Sequence, residues 1–189
     1  MPVPGPGEVL VRVKAASVNF PDLLLTQGKY QLKLEPPFTP GMDFSGIIDT
    51  LGEGVTGPLR EGTDVAGGVR SGAFAEYIVV PVDSLQKKPP AMSFAEAASY
   101  SAAYLTAYVA LVRRANLQPG ETLLVHGASG GVGLAAVDVG KLLGATVIAT
   151  SASDEKLDKV IAHGADFAIN VTQGFRDKVK TLTKGRGAD

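Results

Sequence analysis

The sequence predicts an α/β protein in which a small β-barrel-like domain precedes part of a doubly wound parallel sheet. Short strand-like segments separated by Gly and Pro fill residues 1–90, a pattern typical of a small β domain. After residue 92, strand-like and helix-like segments alternate, which indicates βαβ units on a parallel sheet. We therefore expect two domains, at residues 1–92 and 93–189.

The first domain is predicted to begin with a strand and a short helix. In EVLVRVKAASV, Val9 and Val11 alternate with polar or oppositely facing residues, which is the period-two pattern of a strand. In NFPDLLLTQG, Asn19 is a favoured N-cap, Pro21 suits a first turn and Gly28 ends the helix. Three further strands are predicted in SGIIDTLGEGV, TDVAGG and FAEYIVVP, because each is short and bounded by turn residues.

Linking helices are predicted to open the second domain. Ser93 and Glu96 have capping-box spacing, so one helix is expected to start there, and a second is expected to run to about Arg114. Three strand–helix pairs follow the turn LQPGE. The predicted strands are TLLVH, TVIATS and DFAIN, and the predicted helices are residues 130–143, DEKLDKVIAH and FRDKVKTLTK. In the first of these helices, four-three-four spacing predicts a buried face made of Val132, Ala136, Val139 and Leu143.

The segment VHGASGGVG, residues 125–133, follows a predicted strand and opens a helix. That is the context in which a G-x-G-x-x-G-type loop binds a dinucleotide. Ala128, Gly130 and Gly133 occupy the three glycine positions; an alanine is tolerated at the first unless a positive φ is needed there. The second position lets backbone approach a pyrophosphate, and the third lets helix pack on strand. The predicted dinucleotide site comprises Ala128, Ser129, Gly130, Gly131, Val132 and Gly133.

The residues after the next strand predict which dinucleotide binds. An NAD site would place Asp or Glu about 20 residues beyond the loop, but Thr150 and Ser151 stand there. The hydroxyls of Ser151 and Ser153 and the cation of Lys156 suit a 2′-phosphate instead. Two nearby acids at positions 154 and 155 oppose this interpretation, although both fit the first turn of a helix. The pattern favours NADPH over NADH.

Composition excludes several classes of partner. The net charge of −1 gives no reason to expect nucleic acid, and the absence of cysteine excludes thiolate nucleophiles and cysteine zinc sites. The apolar run at residues 97–112 is shorter than the roughly 20 residues of a membrane span and contains Ser, Thr and Tyr. The N-terminal residues do not resemble a secretory signal. We expect no membrane span and a cytoplasmic location.

Four motifs in order carry a resemblance that covers essentially the whole chain. They are VNFPDLLLTQGKY, PFTPGMDFSGII, YLTAYVAL and VHGASGGVG. Together they resemble the zinc-free quinone oxidoreductases of the medium-chain dehydrogenase/reductase superfamily, relatives of zeta-crystallin. The resemblance implies a GroES-like β-barrel domain in front of a Rossmann domain. It also implies hydride transfer from NADPH to a quinone or related enone, and a homodimeric full-length protein.

The resemblance also implies roles for three further residues. Asn19 and Tyr30 fall where the family lines its substrate pocket, and Thr106 falls on a motif near the nicotinamide. A phenol such as Tyr30 can donate a hydrogen bond to a developing oxyanion. The structural alternatives are that Asn19 is only a helix cap, Tyr30 only an aromatic cover and Thr106 only a buried helix hydroxyl.

The sequence departs from relatives in ways that bear on metal and cofactor binding. Zinc alcohol dehydrogenases of the superfamily carry Gly-His-Glu where this chain has Gly41-Met42-Asp43, and Met42 is no zinc ligand. We therefore predict no metal, with His126 and His163 in structural roles. Family members often place an aromatic residue at the position of Val171, near the adenosine phosphate, so stacking on the cofactor is expected to be weaker here.

The resemblance implies a chain that is longer at both ends, with only the first half of a Rossmann domain before residue 189. We therefore interpret this chain as truncated. Two alternatives to a quinone reductase stay open. The tyrosine of QGKY also matches the acid-like tyrosine of related enoyl-thioester reductases. The second alternative is a catalytically inactive fragment with residual nucleotide binding. Truncation favours it, because half a parallel sheet leaves an edge strand exposed to pairing with other chains.

Overall fold

The computed structural model describes residues 1–189, which divide into two compact units, Met1–Ala102 and Ala103–Asp189. The first unit contains mainly antiparallel strands, and the second contains parallel strands connected by helices. This is the α/β class expected from the sequence. The domain boundary expected between residues 92 and 93 stays a prediction.

The first unit is a five-stranded antiparallel sheet with one short helix. Its strands pair in the order β4-β1-β2-β3-β5. They are β1 Glu8–Ser17, β2 Asp43–Leu51, β3 Asp64–Gly68, β4 Tyr77–Pro81 and β5 Leu85–Lys87, with helix α1 at Phe20–Thr26 and a 3₁₀ turn at Val82–Ser84. The sequence analysis did not predict β5, because this three-residue strand has one buried residue and no repeating pattern.

Buried strand residues build the core of the first unit. Val9 and Val11 of β1 are fully buried and Leu10 between them is nearly so, whereas Arg12, which follows Val11, is exposed. Phe44 and Ile48 of β2 and Val65 of β3 pack in the same cluster. Burial of such side chains contributes roughly 1.5–3 kcal/mol each, so this sheet forms a stable base for the loops at its ends.

The second unit is a three-stranded parallel sheet in the order β6-β7-β8, with its helices in the connections. Its strands are β6 Thr122–Val125, β7 Thr146–Ser151 and β8 Phe167–Asn170. Its helices are α3 Gly131–Leu142, α4 Asp154–Ala162 and α5 Arg176–Leu182, with a 3₁₀ turn at Val171–Gln173. Helix α2, Phe94–Tyr108, continues as a π-helical segment, Val109–Arg114, where the sequence predicted two separate helices.

The buried face of α3 differs from the expected one. Val132, expected inside, is 47% exposed, while Val137 is fully buried and Gly140 is buried beside it. A Cβ on Gly140 would lie 2.6 Å from the Leu123 side chain of β6. The buried residues of the helix are Ala135, Val137 and Gly140, and the predicted four-three-four set contained none of these three.

None of the helices combines the length and the apolar character needed to cross a membrane. The apolar run at residues 97–112 belongs to α2 and the π-helical segment that follows it.

Replacement of valine by alanine at two positions of α3 tests the corrected face. Val137→Ala is expected to lower the free energy of unfolding by about 2 kcal/mol, because it removes two buried methyl groups and leaves a cavity. The matched substitution Val132→Ala, on the exposed side, is expected to change it by less than about 0.5 kcal/mol. Urea unfolding followed by circular dichroism measures both, and equal losses would contradict the assigned face.

Candidate functional site

The loop between β6 and α3 turns sharply at Gly127, one residue before the position expected to carry that turn. Gly127 has φ +62°, whereas Ala128 has no positive φ and is fully buried. The Ala128 N–H donates to the Thr150 carbonyl at 3.0 Å, and the Gly130 N–H donates to the Gly127 carbonyl at 3.0 Å. Alanine is therefore compatible with its position, and Gly127 is a site residue that the sequence analysis missed. The sequence feature that could have identified Gly127 is its place directly after the predicted strand TLLVH.

Open space lies in front of the first turn of α3. A Cβ on Gly131 would meet nothing within 4 Å, and one on Gly130 would meet only the Gly127 carbonyl oxygen, at 3.5 Å. Neither glycine has a positive φ, so the fold itself does not require glycine at either position. The missing side chains leave the backbone there accessible to a ligand, as a pyrophosphate site requires.

Backbone donors of α3 face this space. The N–H of Leu134 makes a first-turn hydrogen bond to the Gly130 carbonyl, at 2.8 Å. The N–H groups of residues 131–133 precede it and have no acceptor within the helix. The helix is 12 residues long, and its N-terminus carries partial positive charge. Free donors, positive potential and open space together fit an anionic phosphate group.

Gly133 has a different function from Gly130 and Gly131. A Cβ there would lie 2.5 Å from the Gly127 carbonyl oxygen and 2.7 Å from the Ala128 Cα. Both neighbours are backbone atoms and cannot move aside easily. Gly133 thus allows the helix to pack directly over the loop.

Residues after β7 lie at the same edge of the sheet as the loop. Val125 at the end of β6 is paired with Ala149 of β7, so the carboxyl ends of the two parallel strands are neighbours. Ser151 ends β7 and is nearly buried, and Ser153 is the N-cap of α4. The exposed ammonium group of Lys156 follows in the first two turns of α4.

The two acids that oppose a 2′-phosphate are both engaged within the chain. Glu155 forms an ion pair with Lys159 at 2.9 Å, and Asp154 accepts a hydrogen bond from Asn170 Nδ2 at 2.6 Å. Lys156 has neither an ion pair nor a side-chain hydrogen bond. The Lys156 ammonium group is therefore available to a ligand at the carboxyl edge of the parallel sheet.

The two histidines are held at separate places in the second unit. His126 Nδ1 lies 3.0 Å from Thr150 Oγ1, and its ring packs edge-on against Phe175 with centroids 4.7 Å apart. His163 Nε2 lies 3.0 Å from the Asp138 carboxylate. No three His, Cys, Asp or Glu side chains are grouped so as to hold a metal ion. Val171, at the position where family members often have an aromatic residue, is half-buried. The ring of Phe175, four residues further along the chain, lies at the carboxyl edge of the sheet.

In the first unit, Asn19 connects two buried carboxylates. Its backbone N–H donates to the Asp22 carboxylate at 2.8 Å, as in a capping box. Its side-chain Nδ2 donates to Asp43 Oδ2 and to Ser17 Oγ, each at 3.0 Å. The backbone of Asn19 therefore serves as the helix cap while its amide is fixed by Asp43. Asp22 and Asp43 were not singled out from the sequence for this role, since acidic residues are rarely buried.

Burial raises the pKa of Asp43 above its ordinary value, and the nearby Asp22 adds to this effect. Hydrogen bonds from the Asn19 amide and from the Ala102 N–H, at 3.3 Å, act in the opposite direction. Folding thus favours the protonated form of Asp43.

Tyr30 lines an open cavity of about 690 Å³ in the first unit. It is half-buried and follows α1, and its backbone N–H donates to the Leu24 carbonyl at 3.2 Å. Its main companions are Leu32, Lys33, Met42, Val69 and Arg70. Asn19 does not line this cavity, although its partner Asp43 directly follows Met42 in β2.

Thr106 lies apart from the loop residues. It is exposed on α2 and lines a shallow cavity of about 430 Å³ with Leu105, Val109, Ala110 and Arg114. The interpretation of Thr106 as a buried helix hydroxyl is wrong, because α2 directs this side of its last turns outward. No residue of the Gly127–Gly133 loop lines the Thr106 cavity.

A protein-family model matches a segment in each of the two units. The alcohol dehydrogenase GroES-like domain matches residues 5–90, and the zinc-binding dehydrogenase family matches residues 131–189. The chain belongs to the medium-chain dehydrogenase/reductase superfamily. The prediction of a GroES-like domain followed by a partial Rossmann domain is thereby confirmed. The stretch that matches the zinc-binding family contains one histidine, His163, and no cysteine.

Curated relatives carry quinone oxidoreductase names. Quinone oxidoreductase-like protein 2 homolog of Nematostella vectensis is 44% identical over 98% of this chain and 51% of its own length. Quinone oxidoreductase-like protein 2 of Mus musculus is 41% identical over 98% of this chain and 53% of its own length. The chain thus spans about half the length of these relatives.

Solved structures of the superfamily share the fold closely. A probable oxidoreductase from Mycobacterium abscessus has TM-score 0.95 and 40% identity, covering 100% of this chain and 60% of its own. A mycobacterial protein solved in complex with NADPH has TM-score 0.91 and 33% identity, covering 99% and 58%. The CurK enoyl reductase has TM-score 0.91 and 31% identity, covering 100% and 59%.

Asp43→Asn tests the cost of the buried carboxylate. Because the folded-state pKa of Asp43 is raised, its contribution to stability is complete below the unfolded-state pKa and is lost as pH rises through the folded-state pKa. The free energy of unfolding of Asp43→Asn, relative to the unsubstituted chain, should therefore increase between about pH 3 and pH 7.

The pH dependence separates this effect from any constant loss caused by the new amide. Glu96→Gln is the control of opposite sign, since hydrogen bonds from Ser93 lower the pKa of Glu96. A constant difference between Asp43→Asn and the unsubstituted chain across the pH range would show that Asp43 does not titrate abnormally.

Proposed function

We propose that this chain is the acceptor- and nucleotide-binding part of an NADPH-dependent oxidoreductase that reduces a quinone or related enone without a metal. The observation that carries the proposal is the open space at Gly130 and Gly131, where the fold does not need glycine but a pyrophosphate does. The names of the relatives, quinone oxidoreductase-like proteins, support the reaction class.

NADPH fits the carboxyl edge of the second unit. The N–H groups of residues 131–133 would hold the pyrophosphate, with Ser129 beside them in the loop. Ser151, Ser153 and Lys156 would hold the 2′-phosphate, since two hydroxyls and an unpaired cation lie there, while Glu155 is paired with Lys159 and Asp154 is bonded to Asn170 through Oδ1. A structural neighbour was solved with NADPH, which supports the same choice. When bound, NADPH supplies the hydride from its nicotinamide.

Tyr30 and Asn19 are the residues proposed to act on the acceptor. The Tyr30 hydroxyl would donate a hydrogen bond to the acceptor oxygen and stabilise charge that develops there. Asn19 would contact the acceptor only through its amide oxygen Oδ1, because Asp43 and Ser17 accept hydrogen bonds from both N–H groups of that amide. No strong protein acid is required, since solvent can supply the proton after two-electron transfer. Thr106 is proposed to contact the nicotinamide by resemblance alone.

Metal-independent chemistry is proposed from the donor set. Met42 stands where zinc-dependent relatives have histidine, the chain has no cysteine, and each histidine is paired elsewhere. Zinc favours cysteine, histidine and carboxylate ligands. Binding and orientation of the reactants are then the contributions left to the protein. A cytoplasmic location and a homodimeric full-length protein stay as expectations.

An enoyl-thioester reductase is the second candidate. The CurK enoyl reductase shares the fold at TM-score 0.91, and Tyr30 would serve an enoyl carbonyl as well as a quinone oxygen. Rates of NADPH oxidation with a quinone and with crotonyl-CoA separate the two. Stabilisation by NADPH without turnover of either acceptor would instead favour the third alternative, a nucleotide-binding fragment with no activity.

Gly131→Ala is the variant that tests the phosphate site. Without ligand, its melting temperature should stay equal or rise, because alanine in a helix is more stable than glycine by about 0.5–1 kcal/mol and has room here. The stabilisation of about 2.7 kcal/mol expected at a hundredfold excess of NADPH should be lost. Gly133→Ala is the contrasting variant, which should melt lower without ligand because its Cβ meets backbone. A full NADPH shift in Gly131→Ala would exclude the proposed site.

Lys156→Ala tests the choice of cofactor. Loss of this exposed cation should weaken NADPH binding about fivefold and leave NADH binding unchanged. Lys180→Ala removes an exposed lysine of α5 that has no ion pair and lies outside the proposed site, so it serves as the control. Isothermal titration calorimetry measures both cofactors. An equal loss of affinity for NADPH and NADH would mean that Lys156 does not contact a 2′-phosphate.

A further inference from the structure

The cavity that contains Tyr30 is positively charged. Lys33 and Arg70 both line it, and no Asp or Glu does. Arg70 is exposed and has neither an ion pair nor a side-chain hydrogen bond. The Lys33 ammonium donates one hydrogen bond to the Gly28 carbonyl, which leaves its other N–H groups for a further acceptor. Two cations without an internal counter-ion favour an anionic occupant.

The backbone on both sides of the cavity is fixed. The Val69 N–H donates to the Met42 carbonyl at 2.7 Å, and the Ala73 N–H donates to the Gly41 carbonyl at 3.0 Å. Gly41 has φ +98°, and a Cβ on it would lie 2.5 Å from the Phe74 ring. Arg70 therefore projects from a segment that hydrogen bonds and close packing hold beside Met42. Less ordering is then needed when a ligand binds.

The rest of the lining suits the apolar part of a ligand. Leu32, Met42 and Val69 contribute hydrocarbon and thioether surface, and Tyr30 contributes a ring with one hydroxyl. The volume of about 690 Å³ lies within the range of about 300–1,000 Å³ usual for small-molecule sites. Gln31 also lines the cavity and adds an amide. The cavity thus offers an apolar surface with two cations and two neutral polar side chains, those of Tyr30 and Gln31.

We propose that the acceptor carries an anionic oxygen group, which Arg70 and Lys33 bind while Tyr30 contacts its reactive oxygen. Guanidinium pairs with carboxylate or phosphate through two parallel hydrogen bonds, and Lys33 adds a second positive charge. The inference rests on the proposed function, because it specifies the substrate class of the same site. The anionic group can be a carboxylate on a short acceptor or a phosphate on a longer thioester carrier.

Binding of matched charged and neutral ligands to the 189-residue chain tests this inference. The enone 4-oxo-4-phenyl-2-butenoate and its primary amide differ mainly in the charge of a group separate from the ketone, and crotonyl-phosphopantetheine and crotonyl-pantetheine differ in one phosphate. Calorimetry or NMR titration should show about tenfold tighter binding of the charged member of at least one pair. The pair with the larger preference identifies carboxylate or phosphate. The preference should weaken as NaCl is raised.

Charge-neutralising variants locate the effect. Arg70→Gln and Lys33→Gln should each reduce the preference at least threefold, and Arg70→Lys should retain part of it. Arg12→Gln and Lys14→Gln are the controls, because both residues lie on β1 outside the cavity and have no ion pair. Equal affinity for the charged and neutral ligands in the unsubstituted chain, or no binding of either, overturns the proposal. So does a loss as large in the controls as in the cavity variants.

The two proposals can fail separately in these experiments. Ligand binding is measured without cofactor, so a charge preference at Arg70 would survive a failure of NADPH to bind. Conversely, loss of the charge preference with an intact NADPH-induced rise in melting temperature would overturn only the anionic substrate class.

Discussion

The close approach of helix α3 to the end of strand β6 is the constraint on which the candidate nucleotide site depends. Gly133 permits it, because any side chain there would collide with the backbone of Gly127 and Ala128. Gly140 continues the contact further along the helix against Leu123. With the helix held this closely, its N-terminal donors lie directly over the turn at Gly127. The fold does not require glycine at positions 130 and 131, so the absence of side chains there leaves space that a ligand can occupy.

Charged side chains have opposite roles in the interior of the first unit and at the proposed ligand sites. In the first unit, Asp22 and Asp43 are buried beside Asn19, an arrangement that raises the pKa of Asp43 and costs stability when that group ionises. What the arrangement provides is a fixed orientation for the Asn19 amide. At the proposed ligand sites, by contrast, Lys156 and Arg70 are exposed and unpaired. The buried acids fix the Asn19 amide, whereas Lys156 and Arg70 have no partner within the chain.

Local patterns in the sequence predicted most of the fold and part of the candidate site. Alternation predicted β1, and the strand–glycine–helix context predicted the loop before α3, because both depend on neighbouring residues. The missed features depend on tertiary contacts. The buried face of α3 includes Gly140, β5 is three residues long, and the role of Asp43 appears only when β2 is placed beside Asn19. The turn at Gly127 was misplaced by one residue because the motif was aligned on its later glycines.

The central claim is that the loop before α3 holds the pyrophosphate of NADPH. Its most direct test is the change in backbone amide chemical shifts when NADPH is added to the ¹⁵N-labelled chain. We expect the largest changes at Gly130, Gly131 and Val132, with a second group at Ser151, Ser153 and Lys156 that NADH does not reproduce. Unchanged amides at residues 130–133 in the presence of saturating NADPH would contradict the claim.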